Sequence, residues 1–101
     1  MDINKLMQQA QAMQKQIEKT SEKINAMEFE AQASNGLVKV TVNGEYKVLA
    51  INIDPSILNA DDKEMIEDLI IIALNSAIEK VDEAKQDSFG SMASALGIPT
   101  K

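Results

Sequence analysis

The stretch Asn35-Gly36-Leu37-Val38-Lys39-Val40-Thr41-Val42-Asn43-Gly44 places Val38, Val40 and Val42 at every second position between two Asn-Gly pairs. Alternation with period two turns one face of a strand to the core. Asn-Gly is the strongest short hairpin signal, because both central residues of a type I′ turn need positive φ. The middle of the chain therefore predicts a strand, Leu37 to Val42, with an antiparallel neighbour on either side. Before it runs Phe29 to Ser34, where Phe29, Ala31 and Ala33 share a face; after it runs Glu45 to Ile53. In that third strand Tyr46 and Val48 lie on one face and Leu49, Ile51 and Ile53 on the other. Either a bulge shifts the phase or both faces are covered. Two-sided cover in so short a chain points to a second subunit.

Further out the period changes. From Asp2 to Met27 there is no Gly or Pro, and Ile3, Leu6, Ala10, Met13, Ile17, Thr20, Ile24 and Met27 recur in steps of three and four, a heptad seam on a helix. A helix of about 25 residues runs roughly 37 Å, whereas six-residue strands reach about 20 Å, so part of this helix must project beyond any sheet it packs on. A projecting apolar seam needs a partner.

On the other side, Asp54-Pro55 ends the third strand and Ser56 to Asn59 predicts a single helical turn. A second long helix is expected from Asp61, whose side chain could cap it while Glu64 reaches back. Its apolar positions are Met65, Ile66, Leu69, Ile70, Ala73, Leu74, Ala77, Ile78, Val81 and Ala84, with Ile71 and Ile72 widening the stripe. Gly90, Ser91, Gly97 and Pro99 predict a loose tail despite Met92, Leu96 and Ile98. The expected class is α+β: long helix, three-stranded antiparallel meander, long helix. A single domain is expected over residues 1–89, with a flexible tail over 90–101.

Composition narrows the chemistry. The 101 residues make about one domain, and with 45% hydrophobic but only 3% aromatic residues its core must be aliphatic. Cys and His are both absent, which removes disulfides, thiolate nucleophiles, Cys or His zinc ligands and imidazole acid–base chemistry. No enzyme, cofactor, metal or small-molecule substrate is expected. The longest apolar run, Leu69 to Leu74, is too short for a bilayer span or signal core, so a cytoplasmic location is the expectation. The net charge of −6 is unevenly spread: residues 1–27 hold four Lys against three acids, whereas residues 61–89 hold three Lys against nine. Every basic residue is Lys. An arginine fork on guanine is therefore excluded, while lysine remains a point charge for phosphate.

Several motifs together resemble one family. Gly36 to Gly44 looks like the glycine-bounded strand of the YbaB/EbfC nucleoid-associated proteins. Val48, Ile51, Ile53 and Asp54-Pro55 resemble the segment that follows it. Glu67-Asp68-Leu69-Ile70 with Ala73, Asn75 and Ala77 resembles the family's second helix, and Leu6-Met7-Gln8-Gln9-Ala10-Gln11-Ala12-Met13-Gln14 its Met- and Gln-rich start. Each motif alone is common; their order and spacing are specific. The carboxyl end departs from the pattern, since Leu96-Gly97-Ile98-Pro99 stands in for a longer Gly-, Met- and Pro-rich tail. The resemblance implies a homodimer with projecting helical arms that binds double-stranded DNA in the bacterial nucleoid with little sequence selectivity.

Under that resemblance Lys15, Lys19 and Lys23, at four-residue intervals outside the seam, and Lys5 nearer the tip become candidate phosphate contacts. Spacing alone favours ordinary solvated charges paired to Glu18 and Glu22, and only the resemblance raises the phosphate-contact reading above that. Gln8 to Gln16 could donate to phosphates, or simply favour helix on a wet face. Tyr46, Val48, Leu49, Ile51, Ile71 and Leu74 are the expected dimer interface. Asp61, Asp62, Glu64, Glu67 and Asp68 form an acidic cluster that lacks the spacing and central Gly of a calcium loop, so helix-end electrostatics account for it better. A second functional class, a dimeric protein-binding adaptor or small chaperone without DNA binding, fits the acidic balance.

Overall fold

The computed structural model describes the backbone of residues 2–95 and the side chains of residues 2–90. The order is α1 (Ile3–Ala26), β1 (Glu28–Ala33), β2 (Val38–Asn43), β3 (Val48–Ile53) and α2 (Lys63–Ala95), with 3-10 turns at Pro55–Ile57 and Ala60–Asp62 before α2. The three strands form one antiparallel sheet in the order β1-β2-β3, so β2 is central and both neighbours are edges. This is the α+β arrangement expected from the periodicities.

Pairing aligns Phe29 with Val42, Ala31 with Val40 and Ala33 with Val38, and cross-strand partners point to the same side. That side is covered by α2, which packs across β1 and β2. Val38, Val40 and Val42 are completely buried there, and fully burying a valine side chain stabilises by about 1.5–3 kcal/mol. From α2 come Leu69, Ala73, Ala77 and Val81, one residue every four, which keeps a single face on the sheet. Alanine at the middle two positions lets the helix backbone approach closely. On β1 and β2 the opposite face carries Glu28, Glu30, Gln32, Lys39, Thr41 and Asn43, all polar.

The two Asn-Gly pairs do not make the same turn. At the first, the Leu37 N–H donates to the Ser34 carbonyl at 3.3 Å across Asn35 (φ 56°) and Gly36 (φ 91°), both left-handed as expected. Ser34 (φ 51°) is left-handed too and the ladder ends at Ala33–Val38, so the loop is longer than two residues. At the second, Asn43 and Lys47 close a three-residue loop of Gly44, Glu45 and Tyr46, with the Asn43 N–H donating to the Lys47 carbonyl at 2.9 Å. Here the left-handed residue is Tyr46 (φ 64°), not Gly44. Tyr46 therefore belongs to the turn, and β3 begins at Val48 rather than Glu45.

The phase change within β3 is a bulge. Val42 pairs with Val48 and Thr41 with Ala50, leaving Leu49 as the extra residue. The bulge puts Val48 on the same side as Ile51 and Ile53, which pair with Val40 and Val38.

Two boundaries also differ from expectation. Asp61 does not cap α2; it lies in the preceding 3-10 turn with Asp62, and α2 starts at Lys63. The Asp54 carboxylate instead caps the earlier 3-10 turn, accepting from the Ser56 N–H at 2.9 Å, and that hydrogen bond holds its carboxyl below the usual range. At the far end, α2 runs through Gly90 to Ala95, so the backbone does not break where the tail was expected; the rest of that tail, 96–101, lies outside the described residues.

Candidate nucleic-acid interface and assembly surface

Helix α1 has 24 residues and buries one of them, Ile24. Its amino end is capped by Asp2, whose carboxylate accepts from the Asn4 N–H at 3.1 Å, and Lys23 sits in the last turn where the helix dipole favours a cation. Its contacts with the rest of the chain lie mainly on α2 and β2, and its last turn also meets Gly44 of the β2–β3 turn. The seam beyond is open to solvent: Ile3 is 70% exposed, Leu6 46% and Ile17 41%. The chain is correspondingly long and thin, 71 × 24 × 16 Å.

Lys5, Lys15, Lys19 and Lys23 are all exposed on this arm. At about 100° per residue they fall at least about 120° round the helix from the centre of the Ile3-to-Ile17 seam, so the arm has an apolar face and a separate lysine face. Lys15, Lys19 and Lys23 follow one another at about 6 Å along the axis, and Lys5 shares the azimuth of Lys23 five turns away. Among the described residues the ion pairs are Lys47–Glu45 at 3.8 Å and Lys63–Glu67 at 4.0 Å; neither involves an α1 lysine. Lys19 and Lys23 also line an open cleft of about 640 Å³ at the base of the arm, where Asp87 and Ser88 of α2 face Gln16 and Thr20 over Ile24, Met27 and Ala84. The Asp87 carboxylate lowers the positive potential at that base.

The residues expected at a dimer interface gather on one side. Val48 and Leu49 are each 50% exposed and Ile51 46%, on an edge strand that α2 leaves uncovered. On α2, Ile71 is 55% exposed while Leu74 is partly buried against the core. Relative to buried Ala73, the helical period turns Leu74, Ile78 and Ile71 to the flank that also carries Lys85. The Lys85 ammonium stands 4.2 Å from the Tyr46 ring centroid, which identifies that flank as the β3 side. An open strand edge and an apolar flank thus adjoin each other.

Tyr46 itself has a partner within the chain. Its hydroxyl donates to the Asp82 carboxylate of α2, and that hydrogen bond to a charged acceptor raises its pKa above the ordinary tyrosine value. Sequence reading missed Asp82 and Lys85 because they lie far from Tyr46 along the chain, and acid and lysine on a wet helix are otherwise unremarked. Lys80, which donates to the Glu30 carbonyl at 2.6 Å, ties α2 to β1 in the same unforeseen way. Among the described residues no three acidic side chains converge as metal ligands, and no helix is long and apolar enough to cross a membrane.

Fold and surface together define a small α+β protein with a lysine-faced projecting helix and an uncovered apolar sheet edge. Over residues 1–96 the chain matches the YbaB/EbfC DNA-binding family, and it belongs to that family. A nucleoid-associated protein of Psychrobacter sp. (strain PRwf-1) is 47% identical over 103 residues, covering 98% of this chain and 93% of that relative. Among solved structures, an uncharacterized protein of Helicobacter pylori matches with a TM-score of 0.77 at 27% identity, over 91% of this chain and 97% of the other.

Proposed function

We propose that the protein binds double-stranded DNA in the bacterial nucleoid as a homodimer, with little sequence selectivity, through the lysine faces of its α1 arms. The observation that carries this is the separation of the two faces of α1: Lys5, Lys15, Lys19 and Lys23 are exposed together on a helix that buries only Ile24. Lysine ammonium groups neutralise phosphates without reading bases, and the absence of Arg removes the commonest specific contact with guanine. Family membership and the name of the Psychrobacter relative support the same reading. The acidic α2 repels DNA, which confines contact to the arms. Binding is therefore of modest affinity and falls steeply with salt.

The open β3 edge and its apolar neighbours support the homodimer part of this reading. Val48, Leu49 and Ile51 with Ile71, Leu74 and Tyr46 form the surface on which a second copy closes, covering what one chain leaves wet.

The test is an anisotropy titration of duplex DNA at several salt concentrations, with Lys15, Lys19 and Lys23 changed together to Glu, alongside light scattering for mass. Every phosphate that is no longer neutralised flattens the slope of log K against log salt by about 0.9. A flattened slope with the dimer intact is expected. Unchanged binding removes these lysines from the site, and no DNA retention at low salt together with capture of a defined protein selects the adaptor reading.

A further inference from the structure

We infer that the β2–β3 turn is the bracket that fixes the angle of the α1 arm, with Tyr46 as the residue that positions it against α2. The consequence for DNA rests on the proposed function; the geometric claim does not.

An arm that buries only Ile24, and meets α2 beyond that only across the open cleft at its base, is aimed from its base. The carboxyl end of α1 lies directly on the turn. The Gly44 N–H donates to the Met27 carbonyl at 3.2 Å, and the Met27 N–H to the Ile24 carbonyl at 3.0 Å. A Cβ on Gly44 would stand 1.9 Å from the Ile24 carbonyl oxygen and 2.5 Å from its carbon, so glycine is required by close approach of backbone to backbone. The turn is stiff in itself. The Asn43 side-chain carbonyl accepts from the Glu45 N–H at 2.8 Å and from the Lys47 N–H at 3.1 Å, and the Tyr46 N–H donates to the Asn43 carbonyl at 3.0 Å.

The far side of the turn is where Tyr46 acts. The left-handed position of a three-residue hairpin loop favours glycine, and a bulky residue there is disfavoured by its own Cβ. The position is nonetheless Tyr, with φ 64°, and its side chain is engaged at both ends: the hydroxyl on Asp82, the ring face under Lys85. A side chain kept in an unfavourable backbone conformation and anchored on another element has the marks of a functional constraint. Through it the turn is fastened to α2, and α1 is fastened to the turn. The arm is roughly 36 Å long, so a 10° change at its base moves the tip by about 6 Å, more than the 3.4 Å axial rise between successive phosphates of a strand.

The chain has no Cys, so two introduced ones are the sole labelling sites. Spin labels at Gln9→Cys on α1 and Asn52→Cys on β3, in doubly labelled chains diluted with unlabelled ones, report the arm-to-sheet distance by pulsed electron resonance in the intact protein. Three variants are compared: Tyr46→Phe, which removes the hydroxyl and keeps the ring; Tyr46→Gly, which relieves the left-handed strain and removes the anchor; and Asp82→Ala, which removes the acceptor from an exposed position on α2. The expected result is a distance distribution at least twofold broader in each, with the melting temperature of Tyr46→Gly equal to or above that of the parent. Duplex affinity of Asp82→Ala then falls about threefold to tenfold while the salt slope stays unchanged, since every lysine and every residue of the proposed dimer surface remains. Parent-like distance distributions in Asp82→Ala and Tyr46→Gly overturn the bracket. Broadened distributions in a protein whose parent ignores DNA keep the bracket and reject the proposed function instead.

Discussion

The two long helices carry apolar stripes of the same period and meet opposite fates. Helix α1 has the more regular seam, with one apolar residue per three or four from Ile3 to Met27, and buries only Ile24; α2 is apolar round much of its circumference and sinks Leu69, Ala73, Ala77 and Val81 into the core. Periodicity fixes that a face exists, not what lies across from it. For α2 the opposite surface is the valine row of β2, reached within the same chain; for α1 beyond the cleft it shares with α2 it is solvent. A seam maintained without an intrachain partner is a surface for something outside the chain.

The comparison breaks most sharply at Ala77. Aspartate there places an unpaired charge in the aliphatic core at a completely buried position, and a cost of about 3–5 kcal/mol is expected, a large part of the stability of a domain this size. Urea denaturation followed by circular dichroism measures it, and a midpoint close to the parent's would mean that α2 does not seat as described. A smaller effect, about 1 kcal/mol, is expected for Asp2→Ala, which removes the cap of α1; because the arm stands apart, the loss should appear as fraying of residues near the amino end in amide exchange, with α2 unaffected. The smallest belongs to Ile17→Gln on the open seam, within about 0.5 kcal/mol. A loss above about 2 kcal/mol at Ile17 would show that a second copy covers the seam.

The same contrast explains which parts of the molecule were readable from residues alone. The turn at Asn35-Gly36 was legible because positive φ at those two residues is a local matter; the left-handed Ser34 before it was not. The turn at Asn43-Gly44 was not: the same dipeptide serves a longer loop, in which Gly44 answers the approach of Ile24 and the left-handed position falls to Tyr46. The ambiguous phase of β3 was legible as an ambiguity, and the bulge at Leu49 resolved it by aligning Val48 with Ile51 and Ile53. The lysine positions on α1 were likewise visible, since a helical period assigns azimuth directly. Their freedom from Glu18 and Glu22 was not, because ion pairing depends on how long side chains settle rather than on spacing.

The sequence by itself determined the element order, the covered face of the sheet, the lysine face of α1 and the exclusion of thiol and imidazole chemistry, because each follows from residue type and local period. Only the tertiary structure decided that α2 rather than α1 covers the sheet, that β3 is left as an open edge, and that Gly44 and Tyr46 join both helices to one turn. Those outcomes depend on which surfaces distant parts of the chain bring together, and Tyr46 and Asp82, 36 residues apart, carry no local mark of their meeting.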